Sequence, residues 1–159
     1  MSYLIKNCRI VSADLDVEGA SIEIKGDKIN KIYFADETLP QCENVFDAQG
    51  RITMPGFIDI HNHGAMGHDA ADDNPDAVRV IAETKIKEGV TTYIPTTLTL
   101  PPEMLEKNMK YVADYQKSPS GAKVPGVHLE GPFINCDCIG AQNPAYVRKP
   151  DINEILKLN

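Results

Sequence analysis

The sequence lacks any apolar run of the length a membrane span requires, about 20 residues for a helix. Its opening, MSYLIKNCRIVSADLD, carries no basic segment followed by an apolar one, so no secretory signal is visible and a cytoplasmic protein is expected. Cysteine is scarce: Cys8, Cys42, Cys136 and Cys138 are the four, and without a secretory signal they are expected as free thiols. Positive charge is in deficit, with 16 Lys and Arg against 23 Asp and Glu and a net charge of −7. That balance gives no basic footprint for nucleic acid, whose phosphates demand clustered cations. A single phosphate on a small molecule stays permitted, because it needs only a local positive pocket. Repeats, low-complexity tracts and long linkers are also missing. What is present is ordinary: 159 residues, 42% hydrophobic and 25% charged, enough apolar material for a core.

Residues 1–53 read as short strands. Tyr3 to Val11 is rich in β-formers, Ala20 to Ile24 alternates apolar and polar, and Ile29 to Phe34 returns after Gly26-Asp27. Two such runs around a Gly-Asp turn predict a hairpin. From Met54 the pattern changes. Phe57 to His61 is strand-like, and Pro75-Asp76 opens a helix with Val78, Ile81, Ala82 and Ile86 on one stripe, closed by Gly89. Thr91 to Ile94 is a second strand. Pro101-Pro102 starts a helix with a Leu105, Met109, Val112 stripe. Val124 to Glu130 is a third strand, and Asp151 caps a helix through Ile155 and Leu158. Strands alternating with helices predict parallel βα units over residues 54–159. A (β/α)8 barrel needs eight strands and typically about 250 residues, so three strands alone cannot close one.

Two constellations carry chemistry. In Pro55-Gly56-Phe57-Ile58-Asp59-Ile60-His61-Asn62-His63-Gly64, strand parity puts Asp59, His61 and His63 on one face and turns Ile58 and Ile60 toward covering helices. Histidines at the C-terminal end of a barrel strand stand where barrel enzymes place their chemistry, and neutral imidazole suits zinc and similar ions. The plain alternative is a pair of polar residues at a strand end. In Val127-His128-Leu129-Glu130-Gly131-Pro132, Val127 and Leu129 face the helices while His128 and Glu130 face inward. Glu130, last before the glycine, would sit at the mouth as a metal ligand or as the partner of a neighbouring cation. His128, one layer deeper, reads as a hydrogen-bonded histidine and not as a ligand. Cys136 and Cys138 read as two loop thiols without a chemical role.

These segments, with His128 to Phe133, Gly140-Ala141-Gln142-Asn143-Pro144 and Val147-Arg148-Lys149-Pro150-Asp151, resemble the N-acetylglucosamine-6-phosphate deacetylase family of the amidohydrolase superfamily. The resemblance runs along essentially the whole chain. It implies an α/β fold: the first three βα units of a (β/α)8 metal-dependent hydrolase barrel over 54–159, plus the N-terminal strands of a small β-sandwich over 1–53. It makes Glu130 a metal ligand, and His61 and His63 ligands of a second metal in members that keep both histidines. The cofactor implied is a divalent ion, zinc or iron, one or two per subunit. Ala141 and Gln142 match a loop that contacts the sugar. Members of the family commonly carry His where Gln142 stands, and a glutamine cannot take up a proton there. The loop before Gly140 also lacks lysines that the family carries.

The implied reaction is hydrolysis of the acetamide of N-acetylglucosamine 6-phosphate to glucosamine 6-phosphate and acetate, in a homodimer of the complete enzyme. By the resemblance the proton-carrying aspartate lies beyond Asn159, so no catalytic proton carrier is expected in this chain and the 159 residues alone are expected to be inactive. The alternatives are another amidohydrolase acting as a deaminase or on cyclic amides, or a fragment with structural contacts only.

Overall fold

The alternation around Gly26-Asp27 produces the expected hairpin in the computed structural model, which describes residues 2–158. β1 (Ser2–Val11), β2 (Asp16–Lys25) and β3 (Lys28–Tyr33) form an antiparallel meander. The turn residue Gly26 sits at φ +63°, a conformation glycine adopts without the Cβ penalty. β4 (Asn44–Asp47) and β5 (Ile52–Thr53) add to β1 in parallel, giving the order β3-β2-β1-β4 with β5 also on β1. Cys8, Ile10, Ala20, Ile22 and Ala48 form the buried face of this sheet. Its buried carboxylate, Glu23, is satisfied by Asn30 Nδ2 at 2.7 Å, Tyr33 Oη at 3.1 Å and Lys25 Nζ at 3.1 Å. Those contacts, the Asn30 hydrogen bond first, hold it below the usual carboxylate range. These strands lie in the first of two compact units, Met1–Pro55; the second is Gly56–Asn159.

The second unit is mixed α/β. Its elements are β6 (Phe57–Asn62), β7 (Gly64–Ala65), β8 (His68–Asp69), α1 (Ala77–Lys87), β9 (Val90–Pro95), α2 (Pro102–Lys117) and α3 (Ile152–Lys157). Between α2 and α3 lie two short helical turns, Cys136–Cys138 and Pro144–Tyr146. β6 and β9 pair in parallel, as their separation by a helix requires. α1 stops where Gly89, at φ +82°, reverses the chain. α2 begins with Pro102 in its first turn, where the missing N–H costs nothing. α3 is capped by Asp151, whose carboxylate accepts from Asn153 N at 2.9 Å. The core is Val78, Ile81 and Ala82 of α1, Tyr93 of β9, Val112 and Tyr115 of α2, and Ala122 and Val124 beyond it. Fully burying a side chain such as Ile81 contributes about 1.5–3 kcal/mol. Ile86, expected on the same stripe, is exposed on the last turn.

Two local expectations change. Val124 to Glu130 does not form a regular third strand. Two isolated parallel bridges flank and enter it: Thr92 of β9 with Lys123, just before the segment, and Thr96, just after β9, with His128. Pro125, with no N–H to give, and Gly126 interrupt the ladder between them. The inward and outward parity still holds: Val127 and Leu129 line an apolar groove with Met109 and Val112 of α2 and Ile155 of α3.

The second change is in β6. Asp59 pairs with Tyr93, but Asn62 pairs with Pro95, so three steps on β6 match two on β9. This bulge breaks the alternation between Asp59 and His61. Asp59 turns toward α1, where its Oδ2 lies 3.5 Å from Lys85 Nζ; its Oδ1 accepts from His61 N at 3.2 Å, but it is not among the clustered groups His61, His63 and Glu130. Ile58 and Ile60, expected under helices, are 66% and 71% exposed. All four cysteines are free, Cys8 buried and Cys136 and Cys138 exposed. No helix of the described residues is long and apolar enough to cross a membrane.

Candidate metal centre

β6 ends at Asn62, and the polypeptide is gripped there by the residue that follows β9. Thr96 N donates to Asn62 O at 2.8 Å, and Asn62 N donates to Thr96 Oγ1 at 3.0 Å. That reciprocal pair fixes the backbone between the two histidines. The segment ending in Glu130 is held the same way. Thr97 N donates to His128 O at 3.0 Å, while Thr97 Oγ1 accepts from Glu130 N at 3.1 Å and donates to Glu130 O at 3.3 Å. Thr96 and Thr97 are buried, so these bonds are shielded from water. The sequence carries their signal as Pro95-Thr96-Thr97-Leu98-Thr99, a run of hydroxyls directly after a strand.

Held this way, His61, His63 and Glu130 converge. His61 Nε2 lies 3.0 Å and His63 Nε2 3.3 Å from the same carboxylate oxygen, Glu130 Oε2, and the two ring nitrogens are 3.3 Å apart. They form the one cluster of metal-ligating groups found among the described residues. His128 lies beside them, its ring 4.8 Å from that of His61, and its Nδ1 is 3.3 Å from Thr96 Oγ1. It is hydrogen-bonded and outside the cluster.

The donor set fits a divalent ion. Four ligands at about 2.0–2.1 Å around a tetrahedral ion lie about 3.3–3.4 Å from one another, so three donors 3.0–3.3 Å apart have nearly the spacing of one face. Glu130 Oε2 is buried and accepts no hydrogen bond, an orphaned anionic oxygen facing two nitrogens. His63 Nδ1 is buried without a protein partner as well. Two imidazoles and one carboxylate suit zinc, iron and similar ions.

The other carboxylate oxygen is engaged. Gln142 Nε2 donates to Glu130 Oε1 at 2.6 Å, and Gln142 Oε1 accepts from Thr99 N at 2.7 Å. Gly131, next to Glu130, has φ +68°, and a Cβ there would collide with Thr99 Oγ1. Ala141 is exposed on the same loop. Arg148 anchors the far end of that loop. Its guanidinium donates to Leu100 O at 2.9 Å and Tyr146 O at 2.8 Å and pairs with Glu154 of α3. The sequence motif contained Arg148 without revealing this clasp.

Parallel βα structure thus brings two histidines and a glutamate together beyond the strand ends, a donor set that can hold a divalent ion. The chain belongs to the amidohydrolase family, whose model matches residues 52–158. It is 35% identical over 153 residues to N-acetylglucosamine-6-phosphate deacetylase of Mus musculus, covering 92% of this chain and 37% of the relative. It is also 35% identical over 159 residues to N-acetylgalactosamine-6-phosphate deacetylase of Escherichia coli O157:H7, covering 99% of the chain and 41% of the relative. Among solved structures, N-acetylglucosamine-6-phosphate deacetylase from Pasteurella multocida superposes with a TM-score of 0.88 at 27% identity, over 99% of this chain and 41% of that one. The chain thus spans about two fifths of the length of the relatives it matches.

Proposed function

We propose that this chain supplies the first βα units and a metal-binding edge of a (β/α)8 deacetylase acting on N-acetylglucosamine 6-phosphate or its galacto epimer. Residues 1–53 would contribute strands of an accompanying β-sandwich. The convergence of His61, His63 and Glu130 on one point carries this reading. The relatives named for these two sugars supply the substrate class. His61, His63 and Glu130 would hold one divalent ion between them, zinc or iron. When bound, such an ion polarises an amide carbonyl and lowers the pKa of water from about 15.7 toward about 7.

The chain's own residues do the positioning. Glu130 gives negative charge to the ion and leaves proton transfer to another carboxylate. Thr96 and Thr97 hold the backbones that carry the ligands, so little reorganisation is needed when the ion arrives. Ala141 and Gln142, on the loop over Glu130, would contact the acetamido sugar. The acetamide is a poor electrophile and its nitrogen a poor leaving group, which is why a polarised carbonyl and a placed proton donor are both required.

The test is acetate release from N-acetylglucosamine 6-phosphate and N-acetylgalactosamine 6-phosphate by the full-length gene product, with zinc or iron supplied. Turnover of either sugar that Glu130→Gln abolishes supports the reading. Turnover of neither, with hydrolysis of a cyclic amide or deamination of a base instead, overturns it.

A further inference from the structure

The two oxygens of Glu130 are treated differently by the protein. Oε2 faces His61 and His63 and accepts no hydrogen bond, while Oε1 is 2.6 Å from Gln142 Nε2. A carboxylate at a metal site can bind through one oxygen or both, and can rotate between these modes. A donor on one oxygen biases that choice. The donor here cannot be turned around. Gln142 Oε1 receives Thr99 N at 2.7 Å, and a backbone N–H can only donate, so the amide must present its NH2 to Glu130. Three groups are therefore linked in fixed polarity: Thr99 N–H to Gln142 oxygen, Gln142 N–H to Glu130 Oε1.

The link is built into the backbone as well. Thr99 is buried. Gly131 adopts a positive φ and lacks the Cβ that would strike Thr99 Oγ1, so the chain just after Glu130 can close against Thr99. Thr97 fixes the Glu130 backbone, and Arg148 ties the loop bearing Gln142 to Leu100, beside Thr99. The carboxylate is thus held at its main chain by one threonine and at its outer oxygen by a glutamine referenced to another.

We infer that Gln142 is a positioning residue for the metal centre, holding Glu130 so that Oε2 alone is offered to the ion. This rests on the reading of Glu130 as a metal ligand. It assigns Gln142 work that is done before any sugar arrives. One amide N–H and one oxygen lone pair have already been used, which leaves the side chain only one further N–H and a lone pair for a ligand. Hydrogen-bonding partners of this kind orient ligands and change metal affinity about 10–100-fold when removed.

The experiment needs no substrate. Zn2+ affinity, by competition with a chromophoric chelator, and the visible spectrum of the Co2+-loaded protein are measured for the parent, Gln142→Met, Gln142→His and Glu130→Gln. Methionine keeps the length and loses the donor. Histidine offers one acceptor and one donor nitrogen and can repeat the link. The expected result is an affinity loss of about 10–100-fold in Gln142→Met, with an altered Co2+ spectrum, and recovery of both in Gln142→His. Glu130→Gln should lose binding altogether. Unchanged affinity and spectrum in Gln142→Met, with binding lost in Glu130→Gln, would overturn the inference and leave the metal centre standing. A loss in Gln142→Met that Gln142→His fails to restore would reduce Gln142 to packing and also overturn it. Full binding in Glu130→Gln would remove the metal centre itself, and the inference with it.

Discussion

Thr97→Val tests whether the threonine run builds the site. Valine keeps the β-branched shape and so the rotamer preference, and it removes only the hydroxyl. In the parent that hydroxyl accepts from Glu130 N at 3.1 Å and donates to Glu130 O at 3.3 Å, from a residue that is buried. Two intramolecular hydrogen bonds, at about 0.5–1.5 kcal/mol net each, make about 1–3 kcal/mol, or roughly a 5- to 150-fold change in a local opening equilibrium. Hydrogen exchange at the Glu130 amide reads that opening directly. Thr97→Val should accelerate it by that factor while leaving core amides such as Tyr93 unchanged. Thr97→Ser, which retains the hydroxyl, should stay near the parent. Exchange at Glu130 within about twofold of the parent in Thr97→Val, or equal acceleration in both variants, would show that Thr97 does not pin the Glu130 backbone.

Other perturbations follow from the same geometry. Ile81→Ala removes a fully buried side chain and should lower unfolding stability by about 2–5 kcal/mol, read as a shift in urea midpoint at constant slope; no shift would deny Ile81 its place in the core. Asp73 is held below the usual carboxylate range by its hydrogen bond to Lys107 and then by that to Tyr111. Its stabilisation is therefore complete above the unfolded pKa, near 3.9, and lost as pH falls through the lower folded value. Asp73→Asn should be less stable than the parent at neutral pH and converge with it in acid; a pH-independent gap between the two would refute that linkage. Ile58 and Ile60 lie exposed on a strand that pairs, among the described residues, only with β9. Such an edge drives association. The chain should therefore self-associate in size-exclusion chromatography with light scattering, and Ile58→Lys with Ile60→Lys should shift it toward monomer; an unchanged mass would place the contact elsewhere.

Elements governed by local rules were legible in the sequence. Gly26-Asp27 set the hairpin, Gly89 ended α1, Pro102 opened α2 and Asp151 capped α3, because turn and cap chemistry acts within a few residues. The proximity of His61 to His63 and the inward parity of Glu130 were also legible, since each follows from side chains alternating along a short extended segment. The bulge between Asp59 and Asn62 was not, because it arises from register against β9, a partner remote in sequence. It sends Asp59 to Lys85 and leaves Ile58 and Ile60 bare. The third strand breaks at Pro125-Gly126: the apolar alternation of Val127 and Leu129 points to a strand, but the proline has no N–H to give the ladder. The role of the threonines is illegible in sequence for a related reason. Hydroxyls beside a strand end have many uses, and only the distances to Asn62, His128 and Glu130 say which one applies here.

Whether His61, His63 and Glu130 hold the same ion is the central question, and metal content decides it. Elemental analysis after loading with zinc and desalting should give one tightly held ion per chain. Glu130→Gln should lose it, and so should His61→Ala and His63→Ala measured separately, because the three donors lie within 4.8 Å of one another. Full metal content in both histidine variants, with loss only in Glu130→Gln, would contradict a shared site and separate the histidines from the ion that Glu130 binds.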